Sequence, residues 1–174
     1  MSTLILTLCA LVQDAPPMPK PEKEHALLSA FEGAWATESE AKPDPQRPPL
    51  TFKGTSNGRS LGGFWTVLEH KAEIMGQPWT GILQLGYEAT SKKYVGTWVD
   101  SFNAYQWKLE GAADAGGKIL TLDTEGPCCR TGKIEKFRET FELQGKDRLL
   151  FTSSRLENGA WTPMLKVTYT RRIS

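Results

Sequence analysis

Two histidines, His25 and His70, and three cysteines, Cys9, Cys128 and Cys129, are all this chain offers for imidazole or thiol chemistry. A histidine with a carboxylate partner moves protons or binds a metal, and His70 directly follows Glu69. Two separated histidines do not make a conventional zinc site without carboxylates or the cysteine pair. No metal site is expected. No Gly-x-Ser-x-Gly motif presents a serine nucleophile, and Ser-His-acid hydrolysis has no visible register. Cys128 and Cys129 are adjacent and no Cys-x-x-Cys occurs, so neither a zinc ribbon nor a thioredoxin-type site is available. The pair leaves two readings: a strained vicinal disulfide that acts as a redox switch, or two thiols on opposite faces of a strand or loop.

A different chemistry, the enclosure of a small molecule, is suggested by the aromatic residues. Trp65, Trp79, Tyr87, Tyr94, Trp98, Tyr105 and Trp107 crowd one quarter of the chain. They would line a cavity for an apolar or ring-bearing ligand or fill a packed core. Tyr94, Trp98 and Asp100 alternate with Val95, Thr97 and Val99, so the first three share one strand face. An aromatic face ending in a carboxylate has the apolar body and single orienting group of a small-molecule pocket. The candidate ligand-binding set is therefore Tyr94, Trp98, Asp100, Trp79 and Arg138, with Arg138 as donor to the carboxylate. The competing reading makes Asp100 and Ser101 cap a turn.

These residues need strands to position them. One short helix is expected over Glu22–Phe31, where Leu27, Leu28 and Phe31 share a face and Gly33 follows. Beyond it, apolar runs alternate with turn signals every ten to twelve residues or so, the spacing of sandwiches and barrels. Tyr105, Trp107 and Leu109 alternate with Gln106, Lys108 and Glu110 as a half-buried strand does. Phe137, Phe141 and Leu143 do the same against Lys136, Arg138 and Glu142. Asn57-Gly58 and Asn158-Gly159 read as hairpin turns. The fold expected is all-β: an antiparallel up-and-down barrel of about 8–10 strands with one short N-terminal helix, its closure removing exposed sheet edges.

The front of the chain reads differently. Leu4–Val12 is too short an apolar run to span a bilayer and fits the core of a secretory signal, though Met1-Ser2-Thr3 lacks the usual positive charge. The Pro-rich run after it is a stiff linker. Residues 1–15 are expected as a signal peptide, 16–22 as linker and 23–174 as one barrel domain. The protein would then be exported, to the periplasm or the medium, with no stable membrane insertion after leader removal. Across the 174 residues, 21 Lys and Arg balance 20 Asp and Glu. A net charge near zero gives no footprint for nucleic acid or an anionic membrane.

A helix, then Gly33-Ala34-Trp35 opening the first strand, then Arg171-Arg172 ending the last, resembles the lipocalin or calycin pattern. That resemblance implies that Trp35 plugs one barrel end with Arg171 or Arg172 across its ring. Phe31-Glu32-Gly33-Ala34-Trp35, Leu61-Gly62-Gly63-Phe64, Leu85-Gly86-Tyr87-Glu88, the run Tyr94–Ser101 and Val167–Arg171 resemble a bacterial family, domain of unknown function 1579. It implies a lipocalin-like barrel and frequent export, and no activity or site residues. Pro127-Cys128-Cys129 departs from the Pro-x-x-Gly type of turn commoner there. Some calycin-like barrels hold haem through a histidine on a late strand; Trp161–Arg172 has none, leaving His70 or Tyr169 as the only substitutes, and no cofactor is expected. The leading functional expectation is an exported barrel that binds a small hydrophobic or aromatic molecule. The alternatives are an enzyme using Asp100, Glu69 and His70 at the barrel mouth, and a filled, purely structural or interaction barrel. Oligomeric state is left open.

Overall fold

The computed structural model describes residues 18–42, 44 and 46–172. The expected signal peptide and the first two residues of the linker lie outside them. A 3-10 helix, Lys23–Phe31, precedes ten strands: β1 (Gly33–Ala41), β2 (Leu50–Leu61), β3 (Trp65–Ile74), β4 (Gln77–Glu88), β5 (Lys93–Asp100), β6 (Asn103–Ala113), β7 (Ile119–Pro127), β8 (Ile134–Leu143), β9 (Arg148–Glu157) and β10 (Ala160–Arg171). Every strand pairs antiparallel with its neighbours in sequence, and β1 closes on β10 from Trp35↔Arg171 to Ala41↔Leu165. The result is the expected all-β up-and-down barrel.

One wall is thinner than the rest. β6 and β7 pair only from Glu110↔Asp123 to Ala113↔Leu120. Below that, side chains close the gap. Trp107 packs edge-on against Phe137 at 5.2 Å, and Tyr105 Oη donates to the Glu125 carbonyl at 3.3 Å.

The helix caps the end where β2–β3, β4–β5, β6–β7 and β8–β9 turn. It buries His25, Leu28 and Phe31, and Phe31 meets Phe141 edge to face at 5.2 Å. Trp35 is 1% exposed. Its indole Nε1 donates to the Phe31 carbonyl at 3.3 Å, and the Arg171 guanidinium lies 4.1 Å from its ring centroid. Arg171 also donates to the Glu32 and Lys146 carbonyls. The expected Trp–Arg plug is thus present, with Arg171 in the role. Leu68, Leu85, Leu120, Leu122 and Leu149 complete a dry core at this end.

Two turn signals met different fates. Asn158-Gly159 is a tight hairpin with both residues at positive φ, 50° and 82°, the mirror-image turn that suits twisted strands. Asn57-Gly58 is not a turn: β2 runs on to Leu61, and Gly62 and Gly63, at φ 65° and 76°, make the bend. Gly58 serves close approach instead. A Cβ there would stand 2.0 Å from the Phe31 carbonyl oxygen, so the glycine lets the end of the helix lie on β2.

Candidate functional site

The half of the barrel away from the helix is hollow. Its inward positions are small: Thr37, Ser39 and Ala41 on β1, Ala72 on β3, Thr124 on β7 and Ser153 on β9. The large inward rings lie against the wall. Gly81 has no side chain where the Trp98 ring passes; a Cβ would meet it at 2.3 Å and Trp79 at 3.0 Å. Gly126 accepts the ring of Trp107 in the same way, at 2.4 Å. Residues that would otherwise cross the axis are thus flattened, and a cavity of about 470 Å³ remains. That volume is within the range of small-molecule sites. The cavity walls are chiefly Trp79, Leu83, Trp98, Trp107, Phe137, Phe141, Phe151 and Val167, and its rim includes Leu50, Ile74, Asp100, Pro127 and Cys129.

Of the residues expected from the sequence, the structure brings Trp79, Trp98 and Asp100 to this cavity. The two indoles stack at a tilt, 5.8 Å apart. Trp98 Nε1 donates to Asp100 Oδ2 at 3.1 Å. The same carboxylate accepts from the Phe102 amide and the Asn103 side chain. Asp100 therefore closes the β5–β6 turn and holds the indole, while Ser101 ties the turn to β4, its hydroxyl accepting from the Thr80 amide at 3.1 Å.

Tyr94 and Arg138 are corrections. Tyr94 faces inward but at the helix end, where its hydroxyl donates to the Glu24 carbonyl at 2.7 Å. The strand is long enough to carry Tyr94 into the core and Trp98 into the cavity. Arg138 is on the outer wall. It alternates with Phe137, which points in, so the two-residue period sends it out. There it pairs bidentately with Asp123 at 2.7 and 3.1 Å and covers the Trp161 ring at 4.3 Å. Of the remaining aromatic set, Tyr87 packs on His25 and Tyr94 at the helix end, and only Trp107 joins the cavity wall. The proposed mouth trio does not converge: Glu69 is on the outer wall, 2.8 Å from Lys71 Nζ.

Two polar groups in the cavity carry its electrostatics. His70 packs edge-on between Trp98 at 5.3 Å and Tyr169 at 5.9 Å. Burial pushes its pKa down to about 4, so the imidazole is neutral near pH 7. Glu139 was not singled out in the sequence. It sits two residues from Phe137 and two from Phe141, both inward, and that period was the available signal. Burial pushes its carboxyl up to about 8, against the opposing pull of a hydrogen bond from Ser153 Oγ to Oε1 at 3.0 Å. His70 Nε2 and Glu139 Oε2 are shielded from solvent and have no protein hydrogen-bond partner. Tyr169, also inward, has its phenol pushed up by burial.

The cysteines flank the rim. Both are free thiols, Cys128 buried and Cys129 exposed, the opposite-faces arrangement rather than a vicinal disulfide. Burial alone would push the Cys128 thiol up. The Arg130 and Thr131 amides, the Thr131 hydroxyl and the Arg155 guanidinium outweigh it and hold the thiol below its ordinary range. Arg155 Nη1 donates to Cys128 Sγ at 3.0 Å. Among the described residues, no group of three or more His, Cys, Asp or Glu side chains is arranged to hold a metal ion.

The model of a family described as protein of unknown function (DUF1579) matches residues 20–171. The chain belongs to the DUF1579 family. This DUF1579 barrel is similar to the crystal structure of Rv2717c from M. tuberculosis, with a TM-score of 0.64 and 14% identity over 88% of this chain and 100% of that one. That likeness is one of fold. More distant are a redesigned β-barrel, mFAP0, bound to DFHBI (TM-score 0.46, 11% identity, 82% of this chain and 99% of that one) and a de novo designed fluorescence-activating β-barrel (0.47, 10%, 83% and 96%). No curated protein matches the chain in sequence.

Proposed function

We propose that this DUF1579 protein is a binding barrel that encloses a small, largely apolar or aromatic molecule. One observation carries the reading: a hollow of about 470 Å³, lined by three indoles and four phenyl rings, in a barrel whose other half is densely filled. A structural barrel of this size would gain by packing the hollow, since an empty volume forfeits dispersion contacts. The small inward side chains at Ser39, Ala72 and Ser153 keep it open. The placement of Trp98 and Asp100 supports the same reading, because the carboxylate locks the indole as a wall.

The reading is tested with protein purified from its own host. Native mass spectrometry should show a small-molecule adduct that is lost on denaturation. Quenching of tryptophan fluorescence by a panel of apolar and aromatic compounds should saturate. A cavity-filled variant, Ser39→Leu with Ala72→Leu, should stay folded and lose both signals. A host-purified protein with no adduct, whose fluorescence no compound in the panel perturbs, would overturn it.

Export belongs to the same proposal. It rests on the apolar run Leu4–Val12 and the Pro-rich stretch behind it. N-terminal sequencing of protein recovered outside the host cytoplasm should begin between Leu11 and Pro17. An intact Met1 on functional protein retained inside the cell would refute it.

A further inference from the structure

Resting on the binding reading, the mouth of the hollow points to where the ligand comes from. Five hairpin connections surround the end away from the helix, and four of them carry an exposed large apolar side chain at or beside the tip: Leu50, Met75, Phe102 and Ile134. At the helix end, the turns over 89–92, 114–118 and 144–147 carry none, and Leu61 and Ile119 are the exposed ones. Met75-Gly76 forms the same mirror-image turn as Asn158-Gly159, at φ 53° and 77° against 50° and 82°. Its first position suits asparagine and strains methionine. Met75 thus weakens its own turn while holding a side chain that is 82% exposed. Phe102 is presented rigidly. Its amide donates to Asp100 and the Ser101 amide to the Thr80 carbonyl, yet the residue is 52% exposed. Exposed apolar groups gathered at one place mark a surface that meets a partner or a membrane. We propose that the mouth docks on a phospholipid bilayer, with Met75 and Phe102 entering the headgroup boundary, and that the hollow takes up its apolar ligand from the membrane.

The form of the ring favours a bilayer over a protein. A protein partner needs a continuous complementary face. Here the apolar side chains stand on separate hairpins around the rim of a hollow, and lipid chains flow around separate anchors as a folded surface does not. The hollow continues the same surface, since Leu50, Ile74 and Pro127 also line it. Seating the ring on lipid therefore brings the hollow to the hydrocarbon boundary, where an apolar, ring-bearing molecule concentrates. The charges complement a phosphate layer. The rim carboxylates are turned to protein partners: Asp44 to Arg47, Asp100 to Asn103, and Glu135 and Glu157 to the buried Arg155. The exposed Lys42 and Lys133 have no carboxylate partner among the described residues and are free to meet lipid phosphates. Glu73, on the outer wall, is an exposed carboxylate near the rim that is likewise unpaired. With a net charge of only +1, insertion of the apolar tips carries the affinity, not long-range attraction to anionic lipid.

The test is flotation of the full chain with phosphatidylcholine vesicles, alongside titration in water with the neutral dye N-phenyl-1-naphthylamine, which reads the hollow. The wild type should float with the vesicles. Met75→Asn and Phe102→Ser should each weaken vesicle binding about tenfold or more, and leave dye binding unchanged. Met75→Asn should also raise the thermal midpoint, because asparagine suits the turn. Met18 and Leu61 match the two anchors in exposure, at 83% and 52%, but lie before the helix and at the helix end. Met18→Ser and Leu61→Ser should leave vesicle binding unchanged. A wild type that does not float overturns the docking and leaves the binding barrel standing. Vesicle binding that survives Met75→Asn combined with Phe102→Ser belongs to another part of the chain and does the same. So does a dimer that ignores vesicles and is broken by those two substitutions, which would assign the ring to a second copy of the chain. If the dye never binds, the enclosure of aromatic molecules is overturned, and the uptake proposed here with it.

Discussion

Replacing Glu139 with glutamine should change how stability depends on pH, in a direction set by its burial. The carboxyl titrates at about 8 in the fold against an ordinary value of 4.5. Between those values the folded state holds a proton that the unfolded state has lost, so stability falls as pH rises. At about 1.4 kcal/mol for each pH unit the full loss is about 5 kcal/mol. His70 works the other way. Its folded value of about 4 lies below the ordinary 6.5, so between them the unfolded state holds the extra proton. Stability is then lost as pH falls, by about 3 kcal/mol in all. The two effects cancel between about pH 4.5 and 6.5, and from about pH 6.5 to 8 the Glu139 loss, about 2 kcal/mol, is no longer offset by His70. Urea melts followed by tryptophan fluorescence, repeated from pH 4 to 9, read this directly. Wild type should hold level and then weaken above pH 6.5. Taken as differences from wild type, Glu139→Gln should remove the weakening, and His70→Asn should expose a continuous fall from pH 4.5 to 8. A wild-type stability that does not drop between pH 6.5 and 8, or a drop that persists in Glu139→Gln, would show that the carboxyl is ionised and solvated within the barrel. That result would refute the account of a buried, neutral Glu139 carboxyl.

Three further outcomes follow from the packing. Trp35→Ala should lose about 3–5 kcal/mol in denaturant melts, as deleted core aromatics do. Arg171→Ala should lose less, about 1–2 kcal/mol, because water can replace part of what the guanidinium provides; equal losses would contradict the plug. Gly58→Ala puts a Cβ 2.0 Å from the Phe31 carbonyl and should cost about 1–3 kcal/mol or more in the same melts, whereas a turn at Asn57-Gly58 would tolerate it far better. Gly81→Ala should push Trp98 and Trp79 off the wall, shift the tryptophan emission and weaken cavity binding at least tenfold; unchanged emission and affinity would show that the indoles are not held by the glycine.

Much of the fold was legible because its information is local. The period of two along Trp79–Tyr87 and Tyr105–Leu109 marks an inner face without any knowledge of the partner strand. The spacing of turn residues orders the hairpins. Even Glu139 was marked, since it lies on the Phe137–Phe141 face, and Arg138 was marked as outward by the same rule. Its assignment as a donor to Asp100 gave an electrostatic guess precedence over strand parity. Asn57-Gly58 was misread for a different reason. A glycine that turns the chain and a glycine that admits a neighbouring backbone look alike in sequence, and only the helix end resting on β2 separates them.

By itself the sequence determined an antiparallel β-protein with a helical cap and a strand face bearing Trp98 and Asp100, because alternation and turn chemistry act over a few residues; the plug at Trp35 was implied by the resemblance to the lipocalin pattern, and the structure chose Arg171 over Arg172 for it. Tertiary structure decided everything that depends on which walls face each other. The closure of β1 on β10, the division into a filled half and a hollow half, and the placing of His70 opposite Glu139 all join residues far apart in the chain. Their cost or benefit depends on the volume and water shared between them, and that volume exists only once all ten strands have closed.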